Sequence, residues 1–174
     1  MIHYHGLPIT PATACAEVIT ARHAFISFQH PEQAEIAMEV AQTFAVDNGA
    51  FTAWKKGRPI KNWAPYYDWV ESVKTHPAFD WAVIPDVIDG DEIANDDLLA
   101  EWPHEKWEGV PVWHMHESIE RFYNLCHEWP RVAIGSSGAF TKIGTPQWWG
   151  RMTAALNEVI NEKDQPPCKL HGLR

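Results

Sequence analysis

Cysteine is scarce in this chain. Only Cys15, Cys126 and Cys168 occur among 174 residues, an odd number with no Cys-x-x-Cys pair. That spacing argues against a disulfide framework and against a cysteine-based zinc site. Long apolar runs are missing as well. No stretch approaches the roughly 18 consecutive apolar residues of a membrane span, so no membrane partner is expected. The N-terminus, MIHYHGLPITPATACAEV, has no basic region followed by an apolar one. No signal peptide is read there, and the expected address is the cytoplasm. Positive charge is also in short supply: 14 Lys+Arg face 23 Asp+Glu, for a net charge of −9. A field of that sign repels nucleic acid, although a local basic patch can coexist with an acidic remainder. There is no internal repeat and no low-complexity linker. The length suits one domain, residues 1–174.

What the chain has in abundance is tryptophan, ten residues in all. Trp54, Trp63, Trp69, Trp102, Trp107, Trp129, Trp148 and Trp149 sit in polar company. Large rings dominate burial wherever they fall, so most should be packing anchors. The rest would suit a partner surface.

Short β-type runs recur: Ala24–Phe28, Thr43–Val46, Trp81–Ile84, Val110–His116, Arg131–Ile134 and Lys169–Gly172. Helical patterns lie between them at Pro31–Gln42, Tyr66–Val73, Asn95–Trp102, Ser118–His127 and Pro146–Asn161. Apolar strands without clean alternation, separated by helices, indicate a parallel sheet with βαβ crossovers. Polar and glycine residues cluster just after each strand, where parallel α/β folds bind ligands. Repetition of that pattern at several strand ends predicts a TIM-barrel-like (β/α) arrangement. It would be incomplete, because about six strands are read where a full barrel has eight and about 250 residues. A completing chain or a homo-oligomer would then cover the free edge.

Several strand ends carry reactive groups. Asp47 precedes Asn48-Gly49, which suits a turn and also places a carboxylate at the mouth of a sheet. Asp86 directly follows the apolar run ending in Pro85. Two carboxylates in differing environments can divide acid and base roles. His114 and His116 share one face of a strand. That is a metal-ligand spacing, but a site needs further ligands, and a neutral His116 acting as a hydrogen-bonding group is the preferred reading. Gly135-Ser136-Ser137-Gly138 is too short for a phosphate-binding fingerprint, yet it offers bare backbone to a flat ligand. Phe51 and Phe140 could stack on such a ligand.

Taken in order, these strand ends resemble the tRNA-guanine transglycosylase superfamily. Val46-Asp47-Asn48-Gly49-Ala50-Phe51-Thr52 is similar to that family's Asp-Ser-Gly-Gly-Phe-type motif. Ile84-Pro85-Asp86 is similar to the strand whose Asp reads the purine. His116 stands where the family has Gln. Ala133-Ile134-Gly135-Ser136 resembles an Ile-Gly-Gly-type strand end, and Leu170-His171-Gly172 loosely resembles a Leu-Met-Gly-type one. The resemblance covers roughly residues 24–174, and its nearest form is the phage and bacterial paralogues that place 7-deazaguanine bases in DNA. It implies exchange of guanine for a 7-deazaguanine in nucleic acid, DNA rather than tRNA, with no cofactor and no metal. It implies proton transfer by Asp47 and substrate binding by Asn48, Phe51, Asp86, His116, Gly135, Ser136 and His171. Such an enzyme extracts its target base from the stack. The family's nucleophilic Asp lies on a further strand that this chain does not reach, so the chain is expected to be truncated or inactive alone. Two alternatives stand beside it: a metal-dependent hydrolase built on His114 and His116, and a non-catalytic purine-binding partner subunit.

Overall fold

The computed structural model describes residues 1–160 and 165–173. Strands and helices alternate along the chain, and every strand pairing described is parallel. This is a partial parallel β/α fold. The chain divides into two compact units, Met1–Val83 and Ile84–Arg174. No helix among the described residues is long and apolar enough to cross a membrane.

The first unit runs β1 (Tyr4–Gly6), α1 (Ala12–Ile19), β2 (His23–Ser27), α2 (Ala34–Val40), β3 (Thr43–Asp47), α3 (Ala50–Lys55), α4 (Ala64–Val73) and β4 (Phe79–Val83). β1 to β4 lie side by side in sequence order. Ala24, Ile26, Phe44, Ala45, Val46, Trp81, Ala82 and Val83 are buried. Near-continuous apolar strands of this kind are what two covered sheet faces require. α1 contributes Cys15 and Ile19 to the core, and α4 contributes Tyr66, Val70 and Val73. The Tyr66 hydroxyl reaches the core and donates to the Val83 carbonyl at 2.7 Å, which satisfies its polar end.

The second unit runs α5 (Glu92–Ala100), β5 (Gly109–Val110), β6 (Val112–His114), α6 (Ile119–Glu128), β7 (Arg131–Gly135), α7 (Pro146–Val159) and β8 (Lys169–Leu173). β6, β7 and β8 form a parallel ladder in that order. Each helix starts on a side chain that accepts a free first-turn amide: Asp91 from Ala94, Ser118 from Arg121, and Thr145 from Trp148. α6 buries Phe122, Leu125 and Cys126. The Lys169 amide donates to the Pro130 carbonyl at 3.0 Å, which sets Cys168 beside the turn between α6 and β7. Cys126 and Cys168, 42 residues apart in sequence, are both buried, with their thiols close enough to perturb each other.

The expected elements are present, with differences at β1, α1, α3, the 110–116 strand and the start of α5. β1 was not read, because Tyr4-His5-Gly6 contains no apolar run. The single strand expected over Val110–His116 is two, since Pro111 between them has no amide to continue a ladder. α1 and α3 were not anticipated either, and α5 begins three residues ahead of the expected Asn95. Asn161, the expected last residue of α7, lies outside the described residues. Of the ten tryptophans, Trp63, Trp81, Trp102, Trp113 and Trp129 are buried, whereas Trp54, Trp107 and Trp149 are exposed.

Candidate functional site

In the first unit, Asp47 closes β3. Its carboxylate accepts the Gly49 amide at 3.2 Å and the Ser27 hydroxyl at 3.3 Å. Asn48 is buried, and its side-chain carbonyl accepts the Ala50 amide at 2.8 Å. Both side chains therefore shape the turn that starts α3, as short polar residues commonly do. Gly49 sits in the left-handed region at φ 76°, and a Cβ there would lie 2.8 Å from Gln29 Cγ. Phe51 lies on α3 with 57% of its surface exposed, its ring centroid 5.9 Å from that of Trp54.

In the second unit, three chain segments meet around two imidazoles. Asp86, 9% exposed, places Oδ2 2.9 Å from His114 Nε2. His114 closes β6 and is itself buried. The His116 ring stacks on it at 5.7 Å. His116 Nε2 lies 3.1 Å from the Gly90 carbonyl, and its Nδ1 lies 2.7 Å from Ser137 Oγ. A carbonyl can only accept, so Nε2 carries a proton. In the neutral ring Nδ1 then accepts the Ser137 hydroxyl. Both nitrogens of His116 are thus engaged within the protein.

Glycine makes this arrangement fit. A Cβ on Gly135 would stand 3.2 Å from His114 Nδ1, and one on Gly138, at φ 54°, would stand 2.8 Å from His116 Cβ. Ser136 accepts the Trp148 indole N–H at 3.0 Å. His171 pairs with Ala133 in the β7–β8 register, two residues short of the Gly135 end.

Sequence reasoning missed the supports of the 114–118 loop. Glu117 is buried and accepts three donors at 2.8 Å: the Asn95 side-chain amide, the His114 backbone amide and Arg121 Nη1. Arg121, also buried, reaches Asp96 at 2.8 Å and the Val112 carbonyl at 3.1 Å. Arg151 donates to the Met115 carbonyl at 2.9 Å and to the Glu117 carbonyl. Burial holds its guanidinium below the ordinary arginine value. The Met115 amide donates to Gly135 O at 2.9 Å, and the Trp113 indole donates to Ser118 O at 2.9 Å. The loop is therefore held along its backbone, which fixes both imidazoles. The only sequence signal was the Glu117–Arg121 spacing of four, a helical pairing distance, although Glu117 itself precedes the Ser118 cap of α6.

The same unit holds the Cys126–Cys168 pair. The hydrogen bond to Cys168, aided by burial, pushes the Cys126 thiol well above the usual range, and the same bond holds Cys168 below it. Among the described residues, no group of three or more His, Cys, Asp or Glu is placed to hold a metal ion. Chemically, the Asp86–His114 pair offers a buried acceptor at a strand end, beside exposed glycine backbone. Compared with known proteins, the chain matches no family model, no curated protein and no solved structure.

Proposed function

We propose that the cluster around Asp86 binds a purine base, and that the chain is a transglycosylase-like protein that exchanges guanine for a 7-deazaguanine in nucleic acid, DNA rather than tRNA. The observation that carries this reading is the buried Asp86 carboxylate, three residues past the last residue of β4, with Oδ2 2.9 Å from His114 Nε2. Guanine and 7-deazaguanines present two adjacent N–H donors, at N1 and the 2-amino group. A carboxylate accepts such a pair side by side, and burial strengthens those bonds. Gly135 and Ser136 supply bare backbone for a flat ring, and the rigid 114–118 loop keeps the acceptor in place.

Titration calorimetry with 7-cyano-7-deazaguanine and guanine tests the reading. The deazapurine should bind, and Asp86→Asn should weaken binding by at least tenfold, about 1.4 kcal/mol, with an unchanged circular dichroism spectrum. Equal affinity in the variant, or no purine binding to the parent protein, would overturn it.

A further inference from the structure

The first unit carries a surface unlike the rest of the chain. Residues 48–67 contain Lys55, Lys56, Arg58 and Lys61 and no Asp or Glu. That stretch is +4 in a chain of −9, so the remainder is −13. All four cations are exposed, and no ion pair among the described residues engages them. Phe51 and Trp54 stand exposed on the same short helix, 57% and 40%, with their rings inclined at 34°. The exposed rings are costly to leave in water, and with the unpaired cations beside them they match a partner with flat rings and regular negative charge.

We propose that α3 and the segment following it, with Phe51, Trp54, Lys55, Lys56, Arg58 and Lys61, form a docking surface for a single-stranded polynucleotide. The cations track phosphates and the two rings accept unstacked bases, the combination that binds single strands without regard to sequence. A duplex hides its base faces and would use only the charges. The acidic remainder repels a strand elsewhere and so confines it to this face. The surface is argued from charge and exposed rings alone, so it stands whether or not the second unit binds a purine.

The test is fluorescence anisotropy of a labelled mixed-sequence single-stranded 12-mer on the full chain, across a salt series. Trp54→Ala should weaken binding by about tenfold. The triple reversal Lys55→Glu, Lys56→Glu, Arg58→Glu should abolish measurable binding. Replacing the same three with Gln should lower the slope of log K against log salt by about 2, given about 0.7 per phosphate contact on single strands. No binding by the parent chain, or equal binding by the variants, overturns the proposal. So does heparin binding as tightly as the oligonucleotide with no effect of Trp54→Ala, because that marks a polyanion surface without base stacking. Calorimetry of 7-cyano-7-deazaguanine on the triple variant keeps the two readings apart, since base binding there should match the parent.

Discussion

At the scale of single residues, the 114–118 loop of the second unit depends on the buried, hydrogen-bonded pair Glu117 and Arg121. Glu117 accepts three hydrogen bonds, and Arg121 beside it is 5% exposed. Removing one partner of a buried pair leaves an uncompensated charge, which costs more than the pair contributes. Glu117→Ala should therefore destabilise the protein by about 3 kcal/mol in urea denaturation; a loss below about 1 kcal/mol would mean that water reaches Arg121 and replaces the carboxylate. The cysteine pair makes a second residue-scale prediction. Cys126 resists ionisation when folded and ionises freely when unfolded, so its contribution is complete below the unfolded thiol range and falls as pH rises through it. Above about pH 9 this should steepen the loss of stability by about 1.4 kcal/mol per pH unit. Cys168, held below its ordinary value, acts in the opposite sense and adds nothing to the loss. Cys126→Ala should flatten the alkaline limb in thermal melts from pH 8 to 10.5, and parallel limbs would refute the assignment.

At the scale of elements, turn geometry governs what was readable. Asp47-Asn48-Gly49 was legible as a turn, and both polar side chains do cap it. Gly49 has a left-handed φ of 76° and no room for a Cβ. Gly49→Ala should cost about 1–3 kcal/mol by denaturation; a neutral result would mean that Gln29 moves aside and the backbone relaxes. Strands β2, β3, β4 and β7 were legible because each carries an apolar run bounded by polar residues, and β8 only as the short run Lys169–Gly172 at the chain end. β1 and α1 were not, since Tyr4-His5-Gly6 has no apolar run and the α1 segment follows two prolines. For the site, Asp86, His114 and the 135–138 glycine segment could be picked out as strand ends. Asn95 and Arg151 could not, because they reach the loop from helices far away in sequence, and Arg121 was legible only through its spacing of four from Glu117. Nor could Cys126 and Cys168, which lie on α6 and just before β8 and form no spacing motif.

At the scale of the whole molecule, charge is unevenly spread. The sequence isoelectric point is about 5.5, so the protein should be least soluble near that pH, and turbidity against pH at low salt checks it. A maximum more than about one unit away would mean that many groups titrate far from their ordinary values. The way the 114–118 loop is held has a consequence for inheritance. Its hydrogen-bonding groups are committed to Asn95, Arg121, Ser137 and Arg151, which belong to separate segments of the chain. The Glu117 carboxylate is shared by Asn95 and Arg121, so a change at Glu117 is tolerable only if those two change with it. In descendants of this sequence these three positions should be replaced together or not at all, while the exposed faces of the same helices drift freely.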